Sequence, residues 1–334
     1  MTMNTVLHFP PNQPSGVIMR IAIIGAGISG LIAEGAFSKI PGSTTTIFDP
    51  KHDSDPLSEH KAVMRLRDTR IIDYVNCKID KVKVYKAVYH NGKLYDKPNL
   101  LLNNMYSLKV YDSLSERSLS TLGIVDRYTI SNITRQGMST RIVSIVHDIY
   151  DKQIHFDKTS SQQYDICIST IPMFKCLDLV GKSPDDYGVK FSWTPIFVTK
   201  MKLSIESDVH QTVYFTDQSE EVPYRITIEG NSVIAEAAFT FDIDSIYDCL
   251  RSAFGIGYSE VDEESVTTST QNMGKLEPIS DDIRRKIMMD LTDEFNVYSF
   301  GRFATWRPLR IDQTLDDIEK IKMLVRIKHG RYYE

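Results

Sequence analysis

Met19-Arg-Ile-Ala-Ile-Ile24, Gly25-Ala-Gly27-Ile-Ser29-Gly30 and the stretch Leu31 to Lys39 read in succession as strand, glycine turn and helix. The β-branched run has strand length, and the glycines stand in the G-x-G-x-x-G spacing of a dinucleotide-binding turn. The three glycines serve different ends. Gly25 permits the tight turn, Gly27 lets backbone approach a diphosphate, and Gly30 lets helix pack closely on strand. The helix N-terminus, just after Ser29 of the turn, presents unpaired N–H groups and a partial positive charge to phosphates. A second strand, Thr44-Thr-Thr-Ile-Phe48, ends in Asp49, 19 positions beyond Gly30. A carboxylate there accepts hydrogen bonds from ribose hydroxyls and repels a 2′-phosphate, which disfavours an NADP-type ribose.

The 334 residues allow about two domains. With 42% hydrophobic and 25% charged residues, the composition is that of a globular protein and excludes a disordered or fibrous chain. The net charge of −5 argues against a generally basic surface, so nucleic acid as a partner has no electrostatic support beyond a local groove. Cys77, Cys167, Cys176 and Cys249 form neither a C-x-x-C pair nor a zinc-like spacing. No metal site or disulfide framework is indicated, and a cytoplasmic location is expected. Val17 to Phe37 carries Arg20, Ser29, Glu34 and closely spaced glycines, so it does not read as a membrane span. Residues 1–16, with Pro10, Pro11 and Pro14, read as an N-terminal arm rather than a signal peptide.

Which dinucleotide is bound must be decided by the far end of the chain. Tyr164-Asp-Ile-Cys-Ile-Ser-Thr170-Ile-Pro172 reads as a buried strand running into a turn, after a hairpin over Arg141 to Phe156 that turns near Asp151-Lys152. Asn296-Val-Tyr-Ser-Phe300 is another short strand, followed by Gly301-Arg302 and a last helix from about Asp312 to Val325. These four places, the glycine turn with Asp49, the strand ending Ser169-Thr-Ile-Pro172, Gly301-Arg302 and the helix beginning at Asp312-Gln313, resemble the flavoprotein superfamily that contains UDP-galactopyranose mutase, protoporphyrinogen oxidase and the amine oxidases.

The resemblance implies FAD as cofactor. The late Gly-Arg strand would contact it, and the last helix would point its N-terminus at the flavin ring, where negative charge gathers on reduction. Gly301-Arg-Phe-Ala-Thr-Trp306 with Arg307 and Arg310 is similar to the mutase C-terminal motif, with Trp306 where the mutases carry tyrosine. The Arg-x-Gly-Gly-Arg turn of the amine oxidases is replaced by His60-Lys-Ala-Val-Met-Arg65-Leu-Arg67, from which only a general role for Arg65 or Arg67 near the diphosphate or isoalloxazine carries over. The competing cofactor is NAD alone. It would call for catalytic residues after one contiguous nucleotide domain, whereas here the last strand and helix return to the first.

The expected fold is therefore α/β: a three-layer Rossmann-type FAD-binding domain with a parallel sheet, from residues 17–70, 140–190 and 295–334, and an inserted antiparallel-sheet substrate domain from 71–139 and 191–294. Lys81 to Tyr89, the Asn91-Gly92 turn and Leu94-Tyr95 form its first hairpin; 103–121 is helical or irregular; and short strands run from Ile196 to Phe239. Pocket candidates are Tyr224, Arg225, Glu236, Lys275 and Trp306. Plain alternatives are a cross-strand polar pairing for the first three, an exposed loop for Lys275 and core packing for Trp306.

The function implied is an FAD-dependent oxidoreductase of the amine-oxidase-like type, with hydride passing from a polar, amine-bearing or nucleotide-linked small molecule to flavin N5. Lys275 would orient a water or oxygen there. The alternatives are a non-redox mutase acting on a sugar nucleotide, or a scaffold with a structural flavin. The short lobes suggest a phage or bacterial enzyme.

Overall fold

The computed structural model describes residues 18–328 apart from 52–56, 58–60, 98, 112–118, 120, 138, 158, 206–207 and 240–241. The expected N-terminal arm lies outside the described residues. In chain order the first half contains strands β1 (Met19–Ile24), β2 (Ser43–Phe48), β3 (Asn76–His90), β4 (Lys93–Tyr95), β5 (Gly123–Thr134), β6 (Thr140–Ile142), β7 (Val146–Tyr150), β8 (Gln153–Phe156), β9 (Ser160–Gln163) and β10 (Ile166–Ser169). The second half adds β11 (Trp193–Leu203), β12 (His210–Phe215), β13 (Arg225–Glu229), β14 (Ser232–Ala237), β15 (Val261–Leu276) and β16 (Val297–Ser299). The helices are α1 (Ile28–Phe37), α2 (Leu100–Tyr111), α3 (Met173–Leu179), α4 (Ile243–Phe254), α5 (Asp281–Phe295) and α6 (Ile311–Lys328).

A five-stranded sheet in the order β16-β10-β1-β2-β6 has every pair parallel. Its central strands β1 and β10 are nearly continuous apolar runs because both faces are covered. Met19, Ile21 and Ile23 of β1 point to one core with α1 and α6, while Ala22 and Ile24 point to a second core with α3, α5 and the three-stranded meander β7-β8-β9. This gives the three layers expected. Leu315, Ile318, Ile321 and Val325 recur at helical spacing and put α6 into the first core. Each contributes about 1.5–3 kcal/mol by burial, so the end of the chain is fastened to its beginning.

The second sheet runs β15-β11-β14-β13-β12-β3-β4, with β5 also paired to β3. It is antiparallel except for β12 against β3. One face, with Val213, Ile226, Val233 and Ala235, packs on α4; the other carries Val88, Val198, Tyr214 and Ile234 and is partly roofed by α2. The Asn91-Gly92 hairpin forms, both residues having positive φ (47° and 76°) as a primed turn requires.

Some expectations change. Thr140–Ile142 does not join the hairpin; it forms β6 on the parallel sheet's edge, and the hairpin is β7-β8, turning at Asp151-Lys152. Helix α5, read as part of the 191–294 segment, packs Ile287 and Leu291 into the parallel sheet's second core. Helix α4 and the 16-residue strand β15 were not read from sequence. α4 has its signals, an Asp242 N-cap and a left-handed Gly255 C-cap. β15 has few, since most of its residues are polar and part-exposed. Among the described residues no helix is long and apolar enough to cross a membrane.

Candidate active site

The glycine turn joins β1 to α1. A Cβ on Gly30 would lie 2.0 Å from the Gly25 carbonyl oxygen, and one on Gly25, where φ is +97°, would lie 2.5 Å from Thr170 Oγ1. The protein's own packing therefore demands these two glycines. Gly27 differs: it has φ −66° and ψ −176°, allowed for any residue, and among the described residues a Cβ there would meet no atom within 4 Å. Neither backbone nor packing requires glycine at 27, and the space in front of it is where a close-lying diphosphate fits. The first helical bond is Leu31 N–H to Gly27 O (3.0 Å), so the earlier N–H groups of the helix start lie ahead of the ladder.

Thr170, at the end of β10, donates to the Ile24 carbonyl (2.8 Å), and Pro172 precedes α3 as its N-cap. Asp49 is buried at the rim, accepting from Ala26 N–H (2.6 Å) through one oxygen and Lys51 N–H (2.8 Å) through the other. It thus holds the turn first, with lone pairs left for a ribose.

The late segment closes on the same place. Gly301 has φ +92°, and a Cβ there would lie 2.3 Å from Ser29 Oγ, so residues 272 apart in sequence touch. Arg302 donates to the Gly274 carbonyl (2.7 Å), tying this segment to the second sheet. Asp312 and Gln313 form the first turn of α6; Asp312 pairs with Arg310 (3.3 Å) and Gln313 Oε1 accepts from Arg310 N–H (3.1 Å).

The α2-side face of the second sheet carries the charge. Glu236, 1% exposed, accepts from the Tyr224 hydroxyl (2.8 Å) and Arg225 Nε (2.9 Å). Burial opposes its ionisation, but Arg225 and Lys275 hold its carboxyl below the usual range. Lys275 Nζ lies 4.7 Å from the Tyr224 ring centroid. Arg65 pairs with Glu229 (2.8 Å) and donates to Thr212 Oγ1 (3.0 Å). Lys86 donates to Thr121 Oγ1 (3.0 Å) and lies 5.3 Å from the Tyr214 ring centroid.

The pKa of Arg127 is pushed down by burial and then by the charges of Arg67, Arg65 and Arg310. Arg65, Lys86, Arg127, Arg225 and Lys275 face two carboxylates, Glu229 and Glu236, so positive charge is in excess.

One expectation is corrected. Trp306 is 2% exposed and packs edge-on against Phe174, Phe191 and Trp193, and its indole N–H is spent on the Glu277 carbonyl (2.9 Å). It is core, not a pocket wall, because a ring sealed by three aromatics presents no atom to a ligand. Arg65 bonds Glu229 and Thr212 on the second sheet's face, and Arg67 is exposed. Tyr224, Arg225, Glu236 and Lys275 come together on one face, whereas Lys86, Arg127 and Tyr214 were missed. Lys86 occupies an inward place between Val84 and Val88 in the alternation of β3, a signal available in the sequence.

No protein-family model matches the sequence, and no curated protein matches it. Solved structures do. Reduced UDP-galactopyranose mutase is similar with TM-score 0.67 and 14% identity over 92% of this chain and 94% of that one. A CLA-producing fatty acid isomerase from P. acnes follows with TM-score 0.55 and 12% identity, covering 90% and 98%. A protein from Pyrococcus furiosus has TM-score 0.52 and 13% identity, covering 86% and 100%. The likeness is one of fold: a Rossmann-type α/β domain with a separate antiparallel-sheet lobe.

Proposed function

We propose that the protein is an FAD-dependent enzyme whose substrate carries a phosphate or diphosphate, a nucleotide-linked small molecule being the best fit. The carrying observation is the open space at Gly27 beside a late strand that meets Ser29 through Gly301. Gly25, Gly27, Ser29, Gly30 and Asp49 would hold the pyrophosphate and ribose, with Thr170 and Pro172 on the facing turn. Gly301, Arg302, Asp312 and Gln313 would line the ring end. When bound, FAD supplies a ring nitrogen able to accept a hydride or to act as a nucleophile.

Arg225, kept in place by Glu236, and Arg127 would neutralise the substrate's phosphates, while Lys275 over Tyr224 orients the group next to them. The excess of cations favours a mutase-like use of the flavin over amine oxidation, because an amine substrate arrives protonated and is repelled by the face. Assaying pyranose–furanose interconversion of UDP-galactose with and without dithionite tests this: turnover should require the reductant. Oxygen-consuming turnover of amines, with no interconversion, would overturn the reading.

Arg127→Ala provides a second test. The guanidinium bonds only neutral oxygens of Asp126 and Thr121 among its described hydrogen bonds, and it sits among like charges. Its removal should leave the unfolding midpoint unchanged or slightly raised. Affinity for a phosphate-bearing substrate should fall by about 10- to 100-fold, the worth of a charged hydrogen bond of about 1.5–3 kcal/mol. Equal losses of stability and affinity would assign Arg127 a structural role instead.

A further inference from the structure

Helix α2 is apolar on two opposite sides. Leu102, Tyr106 and Val110 recur at helical spacing and pack on the second sheet, the Tyr106 ring edge-on to Tyr214 (5.2 Å) and Tyr224 (6.4 Å). The reverse side repeats the spacing with Leu101, Met105 and Leu108. Leu101 is 65% and Leu108 45% exposed, with half-buried Met105 between them. The helix has one charged residue, Lys109, and its ammonium is spent on the backbone carbonyls of Asp217 and Ser219. A helix that is apolar all round belongs in an interior, and an exposed stripe of this kind marks a contact surface.

The two ends of the stripe differ in charge. Exposed Lys93 and Lys97, with Asp96 between them, precede the helix. The segment fastened to its other half carries exposed Asp217, Glu220 and Glu221, held there by Lys109 and by Gln218 Nε2 donating to the Met105 carbonyl (3.1 Å). We infer that this face is the seam of a homodimer in which the two α2 helices pack antiparallel about a two-fold axis. That symmetry sets Leu101 of one copy on Leu108 of the other, with Met105 nearest the axis. It also brings the lysine end of each copy to the carboxylate end of its mate and opposes the two helix dipoles favourably. A parallel pairing would instead set lysines on lysines and carboxylates on carboxylates. An anionic bilayer fits less well, because the Asp217–Glu221 end of the same face repels it.

Sedimentation of the full-length protein tests the seam. Over about 1–100 μM, where modest homodimers form, the wild type should pass from monomer to dimer. Leu101→Glu with Leu108→Glu changes two exposed positions, so circular dichroism should be unaltered while the dimer weakens by about 100-fold or more. Lys97→Glu should weaken it less, and adding Glu220→Lys should restore it, a rescue that an unspecific sticky surface would not show. Met105→Cys should oxidise to a covalent dimer, whereas the wild type, with Cys167, Cys176 and Cys249 buried, should not. A wild type that stays monomeric throughout overturns the proposal, as does a monomer that binds phosphatidylserine vesicles through Leu101. A dimer that survives the two glutamates lies elsewhere and overturns it too. Where the glutamate variant fails to fold, the Met105→Cys cross-link decides.

Discussion

Gly27→Val should leave the protein folded and cost it the dinucleotide. The valine fits the local backbone, and its Cβ enters space that no atom of the described residues within 4 Å occupies. The stability loss is limited to the poorer N-cap, about 1 kcal/mol. A ligand lying against the turn would meet two extra methyl groups at its diphosphate. Overpacking of that kind costs about 2–3 kcal/mol, or roughly 30- to 100-fold in dissociation constant. FAD titration of the variant and wild type, with thermal unfolding of each in the absence of ligand, separates the effects. Unchanged FAD affinity would mean that the pyrophosphate does not lie there.

Trp306→Ala should do the reverse. The side chain fills the second core between Phe174, Phe191 and Trp193 and satisfies the Glu277 carbonyl. Truncating a buried tryptophan costs about 3–5 kcal/mol, a large share of the roughly 5–15 kcal/mol that a domain possesses. Denaturant unfolding should show a strongly lowered midpoint, and Trp306→Phe a smaller drop. A variant with wild-type stability and lost turnover would return Trp306 to the pocket.

The Rossmann-type half was legible because its rules are local. A β-branched run, a glycine spacing set by sterics and an acidic residue at the end of the next strand are each short-range, and Gly25, Gly30 and Thr170 meet as that pattern requires. Gly301 was legible only through resemblance, since its reason for being glycine is Ser29. The cationic face was half legible. Arg225 and Glu236 lie on neighbouring strands joined by a short turn, with Tyr224 just before the first, so their pairing follows from register. Lys86 and Arg127 reach the same face through the parallel β12–β3 pairing, a long-range choice that alternation within one strand cannot reveal. Trp306 was misjudged because its surroundings come from α3 and the start of β11, far away in sequence.

The central claim is that the early turn and the late strand grip one extended FAD between them, and ligand titration of flavin-free protein tests it most directly. FAD should bind with one-to-one stoichiometry and in preference to NAD, and Gly301→Val, which drives a side chain into Ser29, should weaken it as Gly27→Val does. Tight binding of NAD with no uptake of FAD, or full FAD affinity in both variants, would contradict the account.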